Sequence, residues 1–205
     1  MKKLTAEFKK KIEQKISELE LHTSVEFVPI VARQSSSYSL WKIIYALLTF
    51  SFTLSLVTIK EYFLPPHYKL LSAIVITAVI ILIFSWKWAF RHLLPRHVIL
   101  QAVEKNAFHL FLQEEIFDTP HRTGVLILIS EFEQAVYILA DKGFNKKVEH
   151  REWTELGILL AKDFSKRSEG DTFLLALEQL AKRLSADFPP YANEKPRLRN
   201  GVREV

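Results

Sequence analysis

Carboxylates close to strand ends are the residues of this chain whose type and placement could do chemistry. Glu26 lies in the β-branched run Val25–Arg33. Glu131 and Glu133 lie in a short polar stretch between two apolar runs, Asp118 precedes the first of these runs, and Asp141 closes the second. Carboxylate oxygens gathered beside a sheet can hold a hard cation such as Ca²⁺ or Mg²⁺ or act as general acid and base. Glu26, Glu131 and Asp141 are therefore the candidate metal ligands. Acidic residues also form turns and solvated strand ends for purely local reasons, and both readings stand at this point.

Several other chemistries are excluded. The chain has no cysteine, so it can form no disulfide, thiolate metal site or cysteine nucleophile. Its five glycines make neither a phosphate loop nor a dinucleotide fingerprint, and no HExxH or G-x-S-x-G motif occurs. The seven histidines show no pair at helical metal-ligand spacing with an acidic third. No basic stripe or aromatic platform suggests nucleic acid. No nucleophile set emerges, and a catalytic residue remains unknown.

The elements that must position the carboxylates follow from hydrophobic periodicity. Leu4, Phe8, Ile12, Ile16 and Leu19 recur at spacings of three and four, which predicts an amphipathic helix over Thr5–Glu20. Val25–Arg33 predicts a strand, and Pro29, lacking a ladder donor, argues for an edge or a bulge. A helix is expected over His97–Phe117 with a wide apolar face. Thr123–Ser130 and Ala135–Asp141 read as strands buried on both faces, joined as an antiparallel hairpin. Helices are expected over Glu149–Phe164 and Thr172–Phe188, the latter capped by Asp171 and stopped by Pro189–Pro190. The polar tail 191–205 is expected to be mobile.

Between the first strand and the rest lie two uncharged runs of seventeen residues, Ile43–Ile59 and Leu70–Trp86. A bilayer span needs ~20 apolar residues, with ~17 as the lower edge. Lys42, Lys60, Lys69 and Lys87 bracket the runs, and Trp41 and Trp88 stand where an interfacial aromatic belt would lie. A transmembrane helical hairpin is predicted. Two buried helices of a water-soluble protein are the alternative, but core helices usually carry a polar face. Eight of the 28 Lys and Arg residues precede the first run, and only Lys60 and Lys69 lie between the runs. The positive-inside rule then places both termini in the cytoplasm, with the bilayer as a partner.

The element order predicts an α/β sandwich with a small mixed sheet, interrupted by a two-helix transmembrane hairpin. For the first two strands to lie parallel, the hairpin must fall within their crossover. The expected division is residues 1–40 as the first helix and strand, 41–90 as the hairpin, 91–190 as the remainder of the sandwich and 191–205 as the tail.

The segment His121–Phe144 (HRTGVLILISEFEQAVYILADKGF), together with His22–Arg33, Val148–Trp153 and Leu184–Pro189, resembles the TPM domain family, which includes a plant thylakoid lumen protein. It is most similar to bacterial members with two spans after the first strand. The resemblance covers nearly all of the chain outside the hairpin. It implies an α/β/α sandwich in the bacterial inner membrane. Thr23 and Glu26 match the family's first motif, Glu131 its turn between the second and third strands, and Asp141 and Gly143 its strand-exit turn. The expected role is an interaction module for assembly or quality control of membrane or envelope proteins. The alternative that the family implies is a weak phosphatase assisted by Ca²⁺ or Mg²⁺.

Overall fold

A computed structural model describes residues 6–59, 65–84, 87–144, 171–190 and 202–204. The chain divides into two compact units, Ser37–Val98 and the remainder. The expected helix at Glu149–Phe164 lies outside the described residues.

The α/β unit begins with helix α1 (Ala6–Glu20), whose buried Ile12, Ile16 and Leu19 repeat with helical spacing. Strand β1 (Glu26–Ala32) follows. Helix α5 (Arg96–Gln113), strands β2 (Gly124–Ser130) and β3 (Ala135–Ala140), a 3-10 turn at Lys142–Phe144, helix α6 (Asp171–Asp187) and a short strand β4 (Arg203–Glu204) complete the unit. The sheet order is β3-β2-β1-β4. β1 runs parallel to β2, from Glu26 opposite Gly124 to Ala32 opposite Ser130. β2 and β3 are antiparallel, and β1 and β4 are parallel. The protein is thus a mixed α/β fold with a small mixed sheet.

Strand side chains alternate between the two faces. Phe27, Val31, Val125, Ile127, Ile129, Val136 and Ile138 pack with α1 and α6. Val28, Ile30, Leu126 and Leu128 pack with Val103, Ala107, Leu110 and Phe111 of α5. β2 is buried at every position, as its continuous apolar run predicts. β3 is not: its burial alternates, because it has β2 on one side only and its Tyr137 and Leu139 are merely half-buried. The expectation of two equally buried strands is corrected accordingly.

Helix α5 stops four residues earlier than its apolar pattern predicts. Glu115 adopts a left-handed φ of 52°. Its N–H donates to the Leu112 carbonyl at 3.2 Å, and the Ile116 N–H donates to the Phe111 carbonyl at 3.1 Å. This is a Schellman end, with Ile116 fully buried beside Phe111. A left-handed conformation costs a side-chain-bearing residue ~1 kcal/mol or more, and glycine nothing. Glu115→Gly is accordingly expected to stabilise the protein by about 0.5 kcal/mol, read as a higher urea midpoint at unchanged slope.

The second unit holds helices α2 (Ser39–Ile59), α3 (Pro66–Phe84) and α4 (Lys87–Leu93). By length and composition, Ser39–Thr58 could cross a membrane, and Pro66–Leu82 is a shorter apolar helix. The two pack against each other through buried Ala73 and through Thr53 and Thr77, whose hydroxyls lie 3.0 Å apart. The outward faces are apolar: Leu47, Phe52, Leu71 and Leu82 are each more than half exposed. The Tyr45 hydroxyl donates to the Leu93 carbonyl at 2.6 Å, and Pro95, which has no N–H, separates α4 from α5.

Candidate functional site

The parallel β1–β2 pair places its carboxyl ends side by side, the position where open α/β sheets commonly hold ligands. The ladder continues beyond the strands: the Glu131 N–H donates to the Ala32 carbonyl at 2.9 Å, and the Phe132 N–H to the Arg33 carbonyl at 3.2 Å. The turn Glu131–Gln134, with Gln134 at a left-handed φ of 48°, is thereby fastened to the segment leaving β1. Within it Glu133 is 2% exposed. One carboxylate oxygen accepts the Ser35 N–H at 3.0 Å. The other accepts the Ser130 hydroxyl at 2.5 Å. The Ser35 and Ser130 hydroxyl oxygens are 2.8 Å apart.

An ionised carboxylate only accepts, and a serine hydroxyl has one proton. Ser130 donates to Glu133, so Ser130 must accept from Ser35. The result is a directed chain from Ser35 through Ser130 to Glu133. Such a chain could draw a proton from Ser35 toward a base. It also clamps the backbone, because the same carboxylate holds the Ser35 N–H. Of these three residues, sequence reasoning singled out only Glu133, as one of several turn carboxylates. Ser35 and Ser130 are 95 residues apart, and no local pattern joins them.

The expected metal ligands do not come together. Glu26 opens β1 opposite Gly124, and the Asp141 N–H donates to the Gly124 carbonyl at 3.0 Å. Glu26 and Asp141 thus share one end of the sheet with β2 between them, which sets their backbones ~10 Å apart. Glu131 lies beyond the other end of the seven-residue β1–β2 ladder, ~20 Å away. Among the described residues no three His, Asp or Glu side chains are grouped to hold a metal ion. The set Glu26, Glu131 and Asp141 is corrected on this ground: register puts its members at opposite strand ends.

Asp141 has local partners. Its Oδ1 accepts the Lys142 N–H at 2.7 Å, and its Oδ2 lies 3.1 Å from Arg122 Nε. The second contact is an ion pair without hydrogen-bond alignment, since Oδ2 is buried with no aligned donor. Arg122 also donates to the Phe117 carbonyl at 3.0 Å. Gly143 is required by close approach, because a Cβ there would stand 2.5 Å from the Arg122 carbonyl oxygen. Thr23 is a strap: its hydroxyl donates to the Phe188 carbonyl at 2.8 Å and accepts the Val25 N–H at 3.3 Å. These contacts assign Thr23 and Gly143 to holding the strand entrance in shape.

On the α5 face, the Tyr137 hydroxyl donates to Glu104 Oε1 at 3.2 Å. Burial first, and then the Glu104 charge, push the phenol up to about 12 from 10.0. The neutral phenol is therefore favoured in the folded state. Its contribution to stability is present below pH ~10 and lost as pH rises toward 12. In an absorbance titration Glu104→Gln is expected to lower the Tyr137 step while leaving it above the unfolded value, because burial remains; an unchanged step would rule out the assigned partner.

In the second unit Trp41 lies against Tyr45, with ring centroids 6.0 Å apart, and Lys42 Nζ is 5.7 Å from the Phe90 ring centroid. Lys69 is half-buried. Lys60 and the side chains of Lys87 and Trp88 lie outside the described residues.

No family model matches the chain, and no curated protein matches it. It is similar in fold to the BA42 protein of the psychrophilic bacterium Bizionia argentinensis, known from an NMR structure, at 17% identity and a TM-score of 0.59, covering 100% of this chain and 97% of that one.

Proposed function

We propose that this is a membrane-anchored protein of the TPM type. In this reading the α/β unit is an interaction module, serving assembly or quality control of membrane or envelope proteins, and the Ser37–Val98 unit is its bilayer anchor, with both termini in the cytoplasm of a bacterium. The supporting observation is the apolar exterior of α2 and α3. Leu47, Phe52, Leu71 and Leu82 face outward, and contiguous apolar patches of this kind mark a membrane or partner surface. Backbone groups within helices satisfy one another, as hydrocarbon demands. The Thr53–Thr77 contact is the kind of interhelical hydrogen bond found between spans.

A metal-assisted phosphatase needs its carboxylates within one coordination shell, and Glu131 stands a strand's length from Glu26 and Asp141. The interaction reading is therefore preferred. Its test is co-purification from detergent-solubilised membranes with the full chain as bait and residues 37–98 alone as the control. Membrane proteins recovered by the full chain and not by the control are expected; equal recovery would defeat the reading.

A further inference from the structure

The outer edge of β1 is blocked along its first half and takes up a short strand along its second. Backbone N–H groups along a strand alternate between its two neighbours. The Glu26 N–H donates to the Thr123 carbonyl at 3.2 Å, so Glu26, Val28, Ile30 and Ala32 turn their N–H groups toward β2. The positions that turn outward are Phe27, Pro29 and Val31. The Phe27 N–H is taken by Glu20 Oε1 at 2.9 Å, and Pro29 has no N–H. Capping and proline are recognised ways to blunt a sheet edge. Among the described residues, the stretch from Ile30 onward is the part of this edge that builds a ladder.

That stretch is occupied by the chain's own Val202–Glu204. Arg203 and Glu204 pair with Ile30 and Val31 in parallel. The Val202 N–H donates to Glu13 Oε1 at 2.8 Å, and Val202 packs on the core beside α1 and α6. On the other side Arg203 donates to Glu114 at the end of α5. The tail is thus not uniformly mobile: at residues 203–204 it carries a strand, with a partner for the Val202 N–H on one side and one for the Arg203 guanidinium on the other. Two ladder pairs make a short grip, and the sheet-edge mode of peptide recognition works in this way: main-chain bonds hold, while flanking pockets select alternate side chains.

We propose that this half-edge of β1 is a docking site for an extended segment of a partner protein in which an apolar residue is followed by arginine, and that Val202–Glu204 is a placeholder the partner displaces. The charge complementarity is on the protein: Glu13 and Glu114 flank the edge, and the occupant presents an N–H to one and a guanidinium to the other. The inference deepens the interaction reading by naming its surface, but it does not depend on the bilayer anchor.

The test uses the full chain in detergent micelles and a fluorescent peptide copying residues 198–205, followed by anisotropy. A chain lacking residues 201–205 is expected to bind the peptide about tenfold more tightly than the full chain, because self-occupation lowers apparent affinity by the fraction of sites that are open. The same peptide carrying Arg203→Glu is expected not to bind, and Glu114→Arg in the shortened chain to restore its binding. Should the shortened chain fail to fold, the full chain with Arg203→Glu replaces it and is expected to bind the unmodified peptide more tightly than the original. Equal binding by the open and self-occupied chains, or indifference to the Arg203 and Glu114 charges, would overturn the proposal. Concentration-dependent dimerisation abolished by removing residues 201–205 would overturn it in favour of strand exchange between two copies. Release of the protein from membranes by alkaline carbonate would defeat the anchor while leaving peptide binding intact.

Discussion

Glu133→Ala is expected to destabilise the α/β unit by about 3 kcal/mol. The carboxylate is 2% exposed and accepts two hydrogen bonds, from the Ser35 N–H and the Ser130 hydroxyl. Hydrogen bonds to a charged group contribute about 1.5–3 kcal/mol each, and removing one partner strands the others without water. Ser130 is fully buried, so its hydroxyl cannot turn to solvent. Glu133→Gln keeps an acceptor and a similar shape and should lose about half as much. The double change Glu133→Leu with Ser130→Ala removes donor and acceptor together and should cost less than the two single changes summed, since the orphaned partner is what makes each single change expensive. Urea unfolding of the original chain, Glu133→Ala, Glu133→Gln, Glu133→Leu, Ser130→Ala and the double change decides the matter. A cost for Glu133→Ala below about 1 kcal/mol would show that the carboxylate is not the clamp its contacts describe.

Phe52→Asp is expected to prevent stable insertion of α2. Phe52 is 65% exposed and lies near the middle of the 21-residue helix. A carboxylate at the centre of a span costs ~2.5–3.5 kcal/mol on insertion scales, and the lost aromatic adds a few tenths. That is a shift of more than a hundredfold between inserted and uninserted forms. The contrast is Thr53→Val at the α2–α3 contact. It removes one interhelical hydrogen bond, worth ~0.6 kcal/mol on average, and leaves insertion intact. Alkaline carbonate extraction reads both variants. If Phe52→Asp stayed with the membrane as firmly as the original, the outward face of α2 would not be a lipid face.

Most element positions are legible in the chain itself. The spacing of Ile12, Ile16 and Leu19 marks α1, and the unbroken Val125–Ile129 run marks a strand buried on both faces. Burial follows from patterns of neighbouring residues, so local reading finds it. Pro29 signals an edge or a bulge, whereas β1 lies between β2 and the short β4, whose two ladder pairs begin just after the proline. The end of α5 is less legible. The apolar pattern runs on through Phe117, and only the left-handed backbone of Glu115, set by how Ile116 docks beside Phe111, stops the helix.

The candidate site was legible only as a set of carboxylates. Glu26, Glu131 and Asp141 are equivalent as strand-end residues, yet a parallel β1–β2 pair and an antiparallel β2–β3 pair place two at one end of the sheet and one at the other. Glu133 looks like any turn glutamate until the Glu131–Ala32 and Phe132–Arg33 hydrogen bonds draw Ser35 over it. Residues 203–204 offer too few side chains for a periodic signal, and their strand exists because β1 leaves half an edge open.

By itself the sequence determined the strands β1 to β3, the helices α1, α2, α3, α5 and α6 to within a few residues, which faces are apolar and where two long uncharged runs divide the α/β unit. These depend on residues within a few positions of one another. Tertiary structure alone decided the strand register, the gathering of Ser35, Ser130 and Glu133 from segments 95 residues apart, and the closing of β1 by Val202–Glu204. Those follow from which hydrogen-bonding groups remain unpaired once the sheet has formed, a quantity that no short stretch of chain carries.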